Sequence, residues 1–178
     1  MDKHPCTAVT TDFFNTCPYV FKAEVEVNAT PERIFEYFED AHSWTVWADP
    51  INKVEWTSPQ PFGLGTTRTV HMQGGMTGWE TFIAWERGKH MAFCFTEMSK
   101  PMNESFAEDY LVTDLGNGRC KVVWQMAMQP KGFSRFVTPL IAPIMRRMLQ
   151  KWLNNFAELV NKDELVVSKP QQSAATTA

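Results

Sequence analysis

Glu104-Ser-Phe-Ala-Glu-Asp-Tyr-Leu-Val-Thr-Asp-Leu-Gly-Asn-Gly-Arg-Cys-Lys-Val-Val-Trp-Gln-Met-Ala-Met-Gln129 reads as two strands joined by a tight turn. Leu115-Gly-Asn-Gly118 carries the residues that tolerate the left-handed backbone of a hairpin turn, and β-forming runs lie on both sides of it. The strands should run over Glu104 to Asp114 and Arg119 to Gln129. Beyond them the period changes. Phe136, Leu140, Ile144, Met148, Trp152, Phe156 and Leu159 recur every three or four residues, and Ile141, Met145 and Leu149 broaden the stripe, which specifies an amphipathic helix. Pro139 and Pro143 cannot donate helical hydrogen bonds. The expectation is therefore a broken or separate first turn near 133–142 and regular helix from about 143 to 162.

Upstream of the hairpin the strand period recurs. In Tyr19 to Val27, Phe21, Ala23, Val25 and Val27 alternate with Lys22, Glu24 and Glu26, the pattern of a strand with one buried face. Thr30 can cap a helix and Pro31 suits its first position, so a short helix should follow, with Ile34, Phe35 and Phe38 on its apolar side. Further strands are expected near Val54 to Thr57, Thr66 to Gln73, Gly78 to Glu86 and Met91 to Met98. Pro59, Pro61, Gly63 and Gly65, then Gly74-Gly75, then Gly88 punctuate them. Residues 1–18 read as an irregular arm that covers part of the domain, 19–163 as the folded domain, and 164–178 as a flexible, small and polar tail.

The 178 residues suit one core, and 44% hydrophobic with 21% charged residues is ordinary globular composition. Seven Trp, thirteen Phe and ten Met supply large, adaptable apolar surface for a core or a ligand cavity. A formal net charge of -3 gives no footprint for nucleic acid. No basic leader with a long apolar segment is present and no apolar run suffices to span a bilayer, so a cytoplasmic protein without a membrane span is expected. Cys6, Cys17, Cys94 and Cys120 lack metal-ligand spacing and read as free thiols, and no metal or other cofactor is expected.

Strand, short helix, several antiparallel strands and one long terminal helix is the order of the helix-grip fold. The sequence resembles the START-like, or SRPBCC, superfamily, and within it the polyketide cyclase/dehydrase and lipid transport branch. The resemblance is carried by Asn28-Ala-Thr-Pro-Glu-Arg-Ile-Phe35, Trp44-Thr-Val-Trp-Ala-Asp-Pro50, Trp85-Glu-Arg-Gly-Lys-His-Met-Ala-Phe93 and Gly118 to Trp124, and spans residues 20–160. It implies an α+β architecture: a curved antiparallel sheet of about six or seven strands around the terminal helix, with one or two short helices after the first strand. It implies no shared catalytic motif, since the superfamily includes cyclases, carriers and receptors.

On that fold, strand alternation points Trp124, Met126 and Met128 at the helix, with Phe106, Glu108 and Tyr110, and Met91, Phe93 and Phe95, beside them. Arg68, Val70 and Met72 would join from an earlier strand and Glu80 and Phe82 from its partner, although a register slip of one residue reverses either set. Ile144 and Met148 are the expected helix contributions, and Trp44 and Trp47 flank the mouth, as a gate or as packing under a loop. Arg68, Glu80, Glu108 and Tyr110 then form a polar island in an aromatic and Met-rich concavity. Three readings of it stand. It is a structural ion pair, a contact for an acidic or carbonyl group on a ligand, or an acid/base centre with Glu80 or Glu108 as base and Tyr110 as hydrogen-bond donor.

The resulting function is binding of a small hydrophobic molecule, lipid-, isoprenoid- or polyketide-like. The alternatives are a polyketide cyclase, aromatase or dehydratase, and a partner-binding module or homodimer using an exposed face of Trp79, Ile83 and Trp85. Hydrolase, nucleotide-binding and metalloprotease motifs are missing from the sequence. Arg146, Arg147 and Lys151 give the terminal helix a basic side, read either as a solvated face or as a patch for an anionic membrane or partner.

Overall fold

Asn117 and Gly118 adopt φ of 56° and 69° in the computed structural model, so the hairpin turns at the pair that the sequence singled out. The structure describes residues 2–162. The hairpin joins β7 (Asn103–Gly116) to β8 (Arg119–Pro130), with Tyr110 opposite Trp124 and Glu108 opposite Met126. Ahead of it lie β1 (His4–Pro5), α1 (Phe13–Thr16), β2 (Tyr19–Val27), α2 (Pro31–Glu39), α3 (Ala41–Trp47), β3 (Ile51–Trp56), β4 (Thr67–Met72), β5 (Met76–Glu86) and β6 (His90–Met98). The last element among the described residues is α4 (Ser134–Lys162). A curled antiparallel sheet runs in the order β2-β8-β7-β6-β5-β4-β3, with β1 paired to β6. This is the helix-grip arrangement.

Local chemistry explains the short helices. The Thr30 hydroxyl accepts from the Arg33 N–H at 3.3 Å, with Pro31 at the first helical position. One residue then serves two helices, because Asp40 ends α2 and its carboxylate accepts from the His42 and Ser43 amides that open α3. Trp44 and Trp47 are therefore helical and each is only 1% exposed, so they stand in the core and not as a gate at the mouth. Phe38 stacks on Phe156 of α4 at 5.2 Å, and Tyr110 stacks on Trp124 at 5.4 Å. These rings fix how the sheet closes on the helix.

Three features depart from expectation. First, α4 is continuous from Ser134 to Lys162 and carries both prolines inside it. The carbonyls they leave without a helical partner belong to Arg135 and Pro139, which are solvent-exposed, so water can replace the lost bonds. Second, its outer and inner faces are both apolar: Leu149, Trp152, Phe156 and Leu159 are buried, whereas Phe136, Leu140, Ile144 and Met148 point outward. Third, the register shifts between Phe82 and Ala84, and this bulge turns Trp85 to the inner side, 5.9 Å from Phe35 and 5.0 Å from Phe82. The expected exposed face of Trp79, Ile83 and Trp85 does not form.

The N-terminal arm covers what that bulge leaves on the outside. Phe13, with Val9 and Phe14, packs on Ile83, Cys94, Ala107 and Ala127, and Lys3 lies 4.1 Å over the Trp79 ring. Farther along, the arm enters between β6 and β7, where Cys6 N–H donates to Thr96 O and Thr7 N–H to Glu104 O. It is thus part of the sheet's closure. The tail expected at 164–178 lies outside the described residues.

Candidate functional site

Between the concave face of the sheet and α4 lies a cavity of about 240 Å³. Arg68, Val70 and Met72 of β4 line it with Glu80 of β5, and Phe93 and Phe95 of β6 continue the wall. Phe106, Glu108 and Tyr110 of β7, and Trp124, Met126 and Met128 of β8, complete it, with Trp44 and Trp47 from α3. Strand alternation and the hairpin register bring these side chains to one face. Phe82 and Met91 are buried in the core behind the lining. Ile144 and Met148, expected to face the cavity, are 54% and 38% exposed on the outer side of α4. The helix instead presents Thr138, Ile141, Met145 and Trp152 inward.

The mouth follows from exposure. Of the lining residues, Met102 in the β6–β7 turn and Ile141 on α4 are 42% and 38% exposed. Away from them the wall becomes fully buried and turns polar. Arg68 and Glu80 are cross-strand partners, 1% and 3% exposed, with Nε donating to Oε2 at 2.5 Å. The guanidinium also sits 4.1 Å from the Trp44 ring and 4.5 Å from that of Phe93. Burial pushes the Glu80 carboxyl upward in pKa, and the Arg68 charge beside it pulls back. Arg68 Nη1 and Trp47 Nε1 are buried donors with no hydrogen-bond partner among the described residues.

Glu108 forms the second half of the polar group. Tyr110 Oη donates to its Oε2 at 2.7 Å and Trp124 Nε1 donates to the same oxygen at 3.0 Å. Burial nevertheless dominates and raises the Glu108 pKa to about 7, aided by the Glu80 charge. Burial and the Glu108 charge hold Tyr110 well above its ordinary value, so it remains a donor. A carboxyl whose pKa burial lifts to about 7, a phenol held protonated and a guanidinium thus share one dry wall. The histidines stand away from it: His71 pairs with Glu55 and His90 with Asp109, and none lines the cavity. Among the described residues no group of three or more His, Cys, Asp or Glu side chains is placed to hold a metal ion, and no helix is long and apolar enough to cross a membrane.

The sequence model of the family described as "Polyketide cyclase / dehydrase and lipid transport" matches residues 19–161. The chain belongs to that family. Uncharacterized proteins of Mycobacterium tuberculosis and Mycobacterium bovis are 43% identical to it over 152 residues, covering 85% of this chain and 90% of theirs. Among solved structures, the Zhui aromatase/cyclase of a Streptomyces species superposes with a TM-score of 0.67 at 14% identity, covering 81% of this chain and 94% of that one. A START superfamily protein of Mycobacterium smegmatis gives 0.60 at 12%, covering 81% and 95%. At such identities the likeness is one of fold.

In this polyketide cyclase / dehydrase and lipid transport family member, sequence reasoning missed Ala48, Pro50 and Met102 in connecting segments, and two further groups of lining residues. Met76, Met98 and Asn103 sit at strand ends, where alternation gives no phase, and Thr138 and Met145 lie on a helix whose apolar residues face both ways. Gly78 also shapes the wall. A Cβ there would lie 2.5 Å from Cε2 of Phe95, whose ring packs 4.6 Å from Phe106. Gly78→Ala is expected to displace the Phe95 ring and cost roughly 1–3 kcal/mol of stability, as overpacking a filled site does. Urea unfolding checks it, and an unchanged midpoint would show that the ring moves freely.

Proposed function

We propose that the protein binds a small, largely apolar molecule carrying a neutral acceptor oxygen, such as a carbonyl, with its apolar part toward the mouth. The observation that carries this reading is an aromatic and Met-rich cavity whose deep wall holds a few converging polar groups, the usual composition of a small-molecule site. At about 240 Å³ the space lies just under the roughly 300 Å³ at which ligand pockets usually begin, which favours a compact ligand over a two-chain lipid. Charge favours a neutral group. Arg68 and Glu80 cancel one another, and Glu108 is raised toward neutrality, so an anion would enter a dry site without an uncompensated cation. Arg68 Nη1 and Trp47 Nε1 are the donors that a ligand oxygen would satisfy after a small shift of the wall. The reading takes a reducing cytosolic setting, where the four free thiols need no partner.

A second reading rests on Glu108 and Tyr110. A carboxyl with a pKa of about 7 next to a phenol 2.7 Å away has the donor and base needed to move a proton beside a carbonyl. It adds an activity to the same bound molecule.

Native mass spectrometry of freshly purified protein, followed by denaturing extraction, tests the proposal. The expected result is a stoichiometric adduct that is lost in Met145→Trp, which narrows the mouth side of the cavity. A wild-type protein with no adduct and no gain in Tm from a panel of hydrophobic ketones and esters would overturn it.

A further inference from the structure

The outer face of α4 is unusual for a surface. Phe136, Leu140 and Ile144 fall on successive turns and are 74%, 78% and 54% exposed, and Phe133 just before the helix is 80% exposed. Contiguous exposed apolar side chains of this size mark an interaction surface. The next positions of the same helix, Thr138, Ile141 and Met145, line the cavity. Lys131 N–H donates to Met102 O, tying the start of this segment to the turn that forms the other side of the mouth.

Charge identifies the occupant. The chain carries a net charge of -3, yet residues 115–157 contain no Asp or Glu, while Lys131, Arg135, Arg146, Arg147 and Lys151 all lie in the helical segment or next to it. Lys131 and Lys151 have carboxylate neighbours in Glu104 and Asp49. Among the described residues Arg135, Arg146 and Arg147 form no ion pair. On the helix, Arg147 and Lys151 continue the line of Leu140 and Ile144 by one and two turns. An apolar tip with a basic collar suits a helix that lies in the headgroup layer of an anionic bilayer. A second copy fits less well, because a two-fold contact through this face would set arginines against arginines.

We propose that the N-terminal half of α4 docks peripherally on an anionic lipid surface, placing the cavity mouth at the membrane. The surface is independent of which molecule fills the cavity, so the test needs no ligand. Co-sedimentation of the full chain with vesicles of phosphatidylcholine and phosphatidylglycerol, against phosphatidylcholine alone, gives the readout. Partitioning should require phosphatidylglycerol and weaken with salt. Arg147→Gln with Lys151→Gln should reduce it about 30-fold, at about fivefold per basic residue near an anionic surface. Phe136→Ser with Leu140→Ser should reduce it at least about tenfold by removing inserted apolar area, with Tm unchanged because both side chains are already in solvent. Failure to bind phosphatidylglycerol vesicles, or binding equal in both double variants, would overturn the proposal. Self-association abolished by the Phe136→Ser and Leu140→Ser pair, without vesicle binding, would assign the face to a second copy and overturn it as well.

Discussion

Arg68→Met is expected to lower unfolding free energy by about 3–5 kcal/mol, the cost of leaving a buried partner uncompensated. Arg68 is 1% exposed and Glu80 is 3% exposed, so solvent cannot replace the missing charge. With the guanidinium gone, burial alone acts on Glu80, which must fold protonated or carry an unpaired charge in a dry wall. The Trp44 and Phe93 rings lose the cation stacked on them, 4.1 and 4.5 Å away in the wild type. The double variant Arg68→Met with Glu80→Met should recover most of the loss, since apolar residues of similar volume often replace a buried ion pair without penalty. Urea unfolding of both variants measures the comparison. A single variant that loses less than about 1 kcal/mol would mean that Arg68 is kept by nothing but its packing. Recovery in the double variant together with loss of the extracted adduct would separate the two roles, because the ion pair would then be dispensable for folding and needed for the ligand.

The fold was legible because its decisive signals are local. The period of two in Tyr19–Val27, the Asn117-Gly118 turn and the Thr30-Pro31 cap each act within a few residues, and each appears where its chemistry requires. The polar island was legible for a related reason: Arg68 and Glu80 meet because the β4–β5 register opposes them, and Glu108 and Tyr110 share a face by being two apart. What was hidden depends on tertiary context. The bulge that turns Trp85 inward has no glycine or proline to announce it in Phe82 to Ala84. The phase of α4 was ambiguous because its first turns are apolar nearly all round, and a sequence cannot say which of two apolar faces meets the sheet. The prolines misled in the same way. A missing donor is costly only where its carbonyl partner is dry, and burial is the quantity that sequence conveys least well.

Glu108 should make stability depend on pH, in the direction opposite to that of a salt-bridged carboxylate. Its pKa is raised from 4.5 to about 7, so between those values the folded protein binds the proton that the unfolded chain has released. Stability therefore falls as pH rises through this interval, and levels off above it once both states are ionised. A displacement of about 2.5 in pKa corresponds to about 3 kcal/mol in total. Glu80 also titrates in a buried setting, so the clean measure is the difference between wild type and Glu108→Gln. The glutamine keeps an oxygen that can accept from Tyr110 and Trp124 but cannot ionise. At pH 5 the two proteins should have similar stability, and at pH 8 the wild type should be the weaker by about 3 kcal/mol. A carboxyl ¹³C resonance of labelled Glu108 titrating near its ordinary value would sink the idea, for it would mean that water reaches the deep wall. A midpoint near 7 would show the wall dry. Below that midpoint the protonated carboxyl would be a donor beside Tyr110, and affinity for a ketone ligand should decline as the same proton leaves.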